Sequence, residues 1–364
     1  MIENAYIHIP FCAQKCNYCA FLSVSAPKLI PRYIETLKKE IGERYKGETL
    51  KTIYFGGGTP SLLTAEQINT ILNPLKYSDN AEITLEINPE TIDRLYLERL
   101  KNETPVNRLS IGIQTFDDET LKILGRQHTS KTSIDVIRTA KELGFNNISI
   151  DLMYGLPAQN IEKVREDVEK ALSLEPQHIS LYGLKIERRT KWSHNPPQNL
   201  PDLDIQADMY EETVKILKKN GYNHYEISNL ALPQFESKHN LSYWKNKNYY
   251  GFGLGASGYE GYERYTNLTS FQEYFEDYNK KSMSYKLTEQ EKLEEEIFLG
   301  LRCTEGINID EINKKYKIDF DKKYSEIIRK YQQTGHLKRN KTNVYLTING
   351  MLISNEIFSE FIEI

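Results

Sequence analysis

Three cysteines, Cys12, Cys16 and Cys19, fall in the stretch PFCAQKCNYCAF at residues 10–21, with the spacing C-x3-C-x2-C. Thiolates this close select soft metals: iron–sulfur clusters, zinc or copper. A closed structural zinc site takes four ligands, and C-x2-C pairs usually come in twos. The remaining cysteine, Cys303, lies far along the chain in the apolar helical stretch FLGLRC. There it reads as a small buried hydrophobe. Three ligands on a four-iron cube leave one iron open for a small molecule to chelate. The plainer alternative is a redox-active pair with a bystander.

Elements that could position such a site are legible in the pattern. Short apolar runs alternate with helical ones as far as about residue 220: YIHI, TIYF, EITLEI, RLSIGI, NISIDLM and HISLYGL, each followed by helical sequence. The helix TAEQINTILNPLK opens with a capping box from Thr64 to Gln67. Six strand–helix units in a row predict an α/β fold, either a parallel barrel or a doubly wound sheet. Chemistry in such folds gathers at the C-terminal ends of the strands. Polar residues stand there: Gly56, Gly57, Gly58 and Thr59 after TIYF, Glu86 in TLEINP, Gln114 ending SIGIQ, and Asp151 after NISI. A carboxylate in an apolar strand is costly unless paired or bonded to a ligand. One shared polar pocket is therefore expected; the alternative is a set of ion pairs at the barrel rim.

The stretch YIHIPFCAQKCNYCAF resembles the cluster loop of the radical S-adenosylmethionine (SAM) superfamily, in its oxygen-independent coproporphyrinogen III oxidase branch. The resemblance implies a [4Fe-4S] cluster held by Cys12, Cys16 and Cys19. The amino and carboxylate groups of SAM would complete the open iron. The chemistry belongs to the cofactors, and the protein supplies binding and exclusion. It also selects the fold of the first part, a partial (β/α)6 barrel over residues 1–235, before a connecting segment over 236–285. From about 286 the pattern itself is helical, LTEQEKLEEEIFLGLR, NIDEINKKYK and FDKKYSEIIRKYQQTGHL, then a hairpin-like LKRNKTNVYLT and a closing helix INGMLISNEIFSEFI, which reads as a mainly α, winged-helix-like domain over 286–364. By the same resemblance GGGTP, with Gly57, Gly58 and Thr59, is the glycine-rich turn that meets the SAM amino group. Glu86, Gln114, Arg126 (in LGRQH) and Asp151 match further SAM contacts, and Tyr6 and Tyr18 match residues lining that site.

Two marks divide this branch. The oxidases resemble C-x3-C-x2-C-x-C, whereas Phe21 follows the third cysteine here; that is the pattern of the HemW-like haem chaperones. The chain also opens directly at YIHIPFC, without the longer extension of the oxidases. Downstream, His239, Asn240, Tyr243 and Trp244 form H-N-x-x-Y-W, typical of the chaperone group. Histidine is a haem-iron ligand and aromatic rings pack on porphyrin faces. This patch is thus the expected haem contact, with His224 and His8 as weaker alternatives. Its plainer reading is a hydrogen-bonded loop and a packed aromatic seam.

The rest bounds the answer. Net charge is -4 and no apolar run approaches the length of a membrane span. The start lacks a basic, apolar leader, and the cysteines are clustered rather than spread as in a disulfide framework; a reducing cytoplasm is expected. Residues 311–342 hold ten Lys or Arg against four Asp or Glu. They scatter over amphipathic helices as solvated faces do, so nucleic acid is not expected as a partner. The expected partners are haem and a haem-acceptor protein, with peripheral membrane contact open and the chain a monomer or dimer. The alternative function is oxidative decarboxylation of coproporphyrinogen III. Plain electron transfer would leave GGGTP, Glu86 and Asp151 unexplained. The stretch 188–202, RRTKWSHNPPQNLPD, reads as a flexible loop over the pocket mouth.

Overall fold

The computed structural model describes residues 1–362. Six strands carry the first half of the chain: β1 (Asn4–Ile9), β2 (Leu50–Gly57), β3 (Tyr77–Ile87), β4 (Arg108–Gln114), β5 (Ile148–Tyr154) and β6 (His178–Gly183). Helices α1 (Ile30–Arg44), α2 (Ala65–Leu72), α3 (Arg94–Glu103), α4 (Asp118–Leu124), α5 (Ser130–Glu142) and α6 (Ile161–Ser173) alternate with them, and α7 (Lys191–His194) and α8 (Leu203–Lys219) follow β6. Side-chain caps start α2 to α8. Thr64 and Gln67 form the expected capping box, and Asp93, Asp117, Thr129 and Asn160 cap α3 to α6.

Each of the six strands pairs in parallel with the next. The hairpin β7 (Asn223–Glu226) and β8 (Asn229–Ala231) lies antiparallel beyond β6. After α9 (Lys238–Trp244), strand β9 (Tyr250–Phe252) runs parallel on the outer side of β1. The result is an open nine-stranded sheet, β7-β8-β6-β5-β4-β3-β2-β1-β9, the partial (β/α)6 barrel. The stretch 236–285, expected only to connect, thus extends the main sheet to Phe252 and adds an antiparallel sheet of β10 (Ser257–Glu260), β11 (Glu263–Asn267) and β12 (Lys281–Lys286), with α10 (Phe271–Glu276) between the last two.

The strands are less uniformly apolar than their runs suggest. Ile53, Phe55, Ile83, Leu85, Leu109, Ile111, Ile148, Ile150 and Ile179 alternate with polar residues and are fully or almost fully buried in one core with the helices. The intervening positions hold Tyr54, Thr84, Glu86, Arg108, Ser110, Ser149, Asp151, His178 and Ser180. In-register pairing keeps these side chains on one face: Thr84 opposite Arg108, Glu86 opposite Ser110, Gly112 opposite Asp151, and Asp151 opposite Ser180. A polar interior line therefore runs around the barrel.

The C-terminal part has the expected order. Helices α11 (Glu289–Gly300), α12 (Ile309–Tyr316) and α13 (Phe320–Gln333) precede the hairpin β14 (Leu337–Arg339) and β15 (Asn343–Leu346), which is joined by the short β13 (Ile307–Asn308) between α11 and α12. The closing helix divides into α14 (Ile348–Leu352) and α15 (Ser354–Glu360). Among the described residues no helix is long and apolar enough to cross a membrane.

Candidate functional site

The cluster loop leaves β1 and is closed at its base, where Cys12 N–H donates to Val24 O and Val24 N–H to Pro10 O (3.0 and 2.9 Å). Its middle is pinned to the end of α4 by Asn17, whose backbone N–H and Nδ2 donate to Leu124 O and Ile123 O. Tyr18 packs on Trp192 of α7, ring centroids 6.1 Å apart. The stretch 188–202 is therefore not loose throughout: Trp192 is only 6% exposed and belongs to a small apolar cluster with Leu124, Met153, Leu156 and Leu184. Cys12, Cys16 and Cys19 line one cavity of about 530 Å³ at the C-terminal ends of the parallel strands. Phe21, 68% exposed, stands at its wall.

Among the described residues, no three His, Cys, Asp or Glu side chains gather around a single ion position. Donors already face two of the cysteine sulfurs. Thr59 Oγ1 donates to Cys12 Sγ (3.4 Å) and Arg126 Nη1 to Cys16 Sγ (3.7 Å). Burial holds the Cys19 thiol above its usual range, where a metal would favour the thiolate.

The glycine turn is forced by proximity. Register places His8 beside Gly56 and Ile9 beside Gly57. Gly58 N–H and Thr59 N–H then donate to Ile9 O and Phe11 O (2.9 and 2.7 Å). Gly57 adopts φ +115°, and a Cβ there would lie 2.4 Å from the His8 ring; one at Gly58 would lie 2.5 Å from Phe11 O. Only glycine lets main chain come this close to the loop and to a ligand.

Glu86 and Asp151 both reach the cavity, with Gly57, Gly58, Thr59, Gln114, Arg126 and Tyr18. Tyr54 Oη and Gly57 N–H donate to the two Glu86 oxygens (2.8 and 3.0 Å). Burial pushes the Glu86 carboxyl up to about 7 against those bonds, and the Asp151 charge adds to the rise. Burial likewise pushes Asp151 up to about 6, against hydrogen bonds from Ser180 and Ser110. Gln114 holds a left-handed backbone, φ 73°, where the β4–β5 register shifts. Arg126 is fixed by Gly112 O (2.6 Å) and Asn88 Oδ1 (2.8 Å), yet its buried Nε has no partner. The cavity thus gathers the Arg126 guanidinium and two acids held above their usual range around one space, which fits a ligand carrying both a carboxylate and a cation.

Tyr6 differs from the rest: it is absent from the cavity wall, and its hydroxyl contacts His8 Nδ1 (2.9 Å) while its ring stacks on Tyr54. Two interior residues escaped the sequence reading. Arg108, 2% exposed on the polar face of β4, lowers the pKa of both acids. Asn88, just past β3, links Thr59 to Arg126. Alternation along RLSIGI and TLEIN was the signal for both.

The H-N-x-x-Y-W residues lie on α9. His239 is 1% exposed; its Nδ1 is 2.7 Å from Thr52 Oγ1 and its Nε2 2.8 Å from Tyr243 Oη. Its ring stacks on Tyr54, the tyrosine that holds Glu86. Both nitrogens of His239 are thus engaged. His8 is engaged likewise, by Tyr6 and Leu22 O. Asn240 N–H donates to the Ser237 cap, and Trp244 lies under the Arg302 guanidinium (4.3 Å) with its indole N–H unpaired. The neighbouring Leu241 and Lys245 line a separate cavity of about 560 Å³ with His224, Lys218 and Cys303.

Comparison with known proteins agrees with this geometry. The Radical SAM superfamily model matches residues 6–171 and the HemN C-terminal domain model residues 287–353. The chain is 40% identical to the heme chaperone HemW of Lactococcus lactis, covering 99% of this chain and 97% of that one. It is 38% identical to the heme chaperone HemW of Bacillus subtilis over 99% of each. The coproporphyrinogen III oxidase HemN of Escherichia coli, a radical SAM enzyme, superposes with a TM-score of 0.87 at 22% identity, covering 99% of this chain and 90% of that one; this likeness speaks for the fold. With the three-cysteine loop, the open parallel barrel and full-length similarity in agreement, the chain belongs to the HemW heme chaperone family of radical SAM proteins.

Proposed function

We propose that this protein binds haem and passes it to an acceptor protein, with a SAM-coordinated [4Fe-4S] cluster on Cys12, Cys16 and Cys19. The observation that carries the reading is the 40% identity, end to end, to a heme chaperone HemW. Bound there, the cluster and SAM supply one-electron chemistry. The protein's own part is binding and orientation: Arg126 meets the SAM carboxylate, the Gly57–Gly58–Thr59 turn and Glu86 meet its amino group, and Asp151 takes the ribose hydroxyls. Gln114 and Tyr18 line the same cavity, and Tyr6 supports it from behind through Tyr54. Phe21 in place of a fourth cysteine favours this over the oxidase reading.

The haem end rests on the family and less on His239 as an iron ligand, since both its nitrogens are bonded. Asn240, Tyr243 and Trp244 remain candidates for porphyrin contact on α9. His224 borders the separate cavity beside Leu241 and Lys245, and its Nε2 makes only long contacts, to Tyr210 Oη (3.3 Å) and Ile227 O (3.5 Å). The test is a haem titration of anaerobically reconstituted protein, followed by Soret absorbance, beside His239→Ala and His224→Ala. Saturable, stoichiometric binding is expected, weakened more by His224→Ala at constant fold. Absence of saturable binding overturns the chaperone reading and returns coproporphyrinogen III with SAM as the substrates to add.

A further inference from the structure

Asn88 has a geometry that SAM binding does not require. Its Oδ1 accepts from Arg126 Nη2 (2.8 Å) and its Nδ2 donates to Thr59 Oγ1 (2.9 Å). Guanidinium is donor-only, so the amide oxygen must face Arg126 and the amide nitrogen must face Thr59. That occupies the acceptor side of the Thr59 hydroxyl and turns its single proton outward, to Cys12 Sγ (3.4 Å). On the other side the same amide holds the guanidinium that donates to Cys16 Sγ (3.7 Å). The same Nη2 also donates to Gly112 O (2.6 Å) and lies 3.9 Å from Glu90, which His128 Nδ1 holds at 2.9 Å. One unbroken chain therefore runs Cys12–Thr59–Asn88–Arg126–Cys16. Every polar group in it has its direction fixed.

We propose that Asn88 is a positioning residue that locks one hydrogen-bond donor onto each of Cys12 and Cys16 and thereby raises the reduction potential of the cluster these thiolates hold. The inference rests on cluster binding by Cys12, Cys16 and Cys19. Reduction adds an electron to an already anionic cluster. Hydrogen bonds to its sulfurs and a buried cation beside them stabilise the reduced state, and cluster potentials follow these terms. Because one amide orients both donors, the two thiolates are tuned together rather than independently.

The experiment is an EPR-monitored redox titration of the anaerobically reconstituted full-length protein without SAM. Asn88→Asp keeps the size and the bond to Arg126. Its carboxylate, though, accepts the Thr59 proton, so Cys12 loses its donor and a negative charge is added. The expected result is a fall in midpoint equivalent to tenfold or more in the reduction equilibrium, 59 mV for a one-electron couple. Thr59→Val removes the Cys12 donor with no change of charge and should shift the midpoint the same way by less. In the Thr59→Val background, Asn88→Asp should add less than it does alone, because the two act through one hydroxyl. An unchanged midpoint in Thr59→Val, or strictly additive shifts, overturns the proposal. So does lower cluster content with an unchanged midpoint in the clusters that remain, the signature of structural support alone. Failure of the unaltered protein to take up a [4Fe-4S] cluster would instead overturn the reading on which the inference rests.

Discussion

Glu86→Gln should make the free protein more stable and the ligand weaker, and the two effects share one cause. In the unfolded chain a glutamate titrates near about 4.3; in the folded protein burial holds Glu86 up to about 7. A raised folded pKa gives stability that is fully present below the unfolded value and lost as pH rises through the folded one. Between about pH 4.3 and 7 the unfolded chain ionises first, so stability falls. The loss reaches on the order of 3 kcal/mol by pH 8. Gln removes that loss and can still accept from Gly57 N–H. A cationic ligand inverts the balance, because it favours the charged carboxylate. At a folded pKa of about 7, the ionised fraction goes from about 0.1 at pH 6 to about 0.9 at pH 8, so SAM affinity should rise roughly tenfold over that range. SAM titrates on its own account, so the informative quantity is the difference between Glu86 protein and the Gln variant. Calorimetric SAM titrations at pH 6, 7 and 8, beside thermal melts of both free proteins, read both halves. Equal pH slopes in the two proteins, or a variant no more stable than the parent at pH 8, would refute the reasoning.

Cys16→Ser should abolish the [4Fe-4S] signature in absorbance and EPR, since two thiolates do not hold the cube at an open site; an intact cluster would sink the ligand assignment. Asp151→Ala should weaken SAM binding at unchanged iron content, measured by equilibrium binding and metal analysis. Gly57→Ala should lower the melting temperature and SAM affinity together. Its backbone sits at φ +115°, a strain of about 1–3 kcal/mol for a non-glycine residue, and the new methyl would press on the His8 ring.

What the sequence determined by itself was everything carried by neighbours. The C-x3-C-x2-C loop, the GGGTP turn, the six strand–helix units and the Thr64–Gln67 capping box depend on spacings of a few residues. All four stand where those spacings put them. The hairpin at Leu337–Leu346 belongs with them. Tertiary structure decided what lies between distant residues. His239 reads locally as a free ligand in an aromatic patch, yet Thr52, 187 positions earlier, occupies one of its nitrogens. Asn88 looks like a turn residue until Thr59 and Arg126 arrive on either side of it. Tyr250–Phe252 joins the barrel sheet by pairing along the outer edge of β1, a strand from the start of the sequence. The physical reason is common to these cases. A parallel sheet brings together segments separated by whole strand–helix units. The partner that satisfies a buried polar group is thus chosen by register across the sheet, which no local spacing encodes.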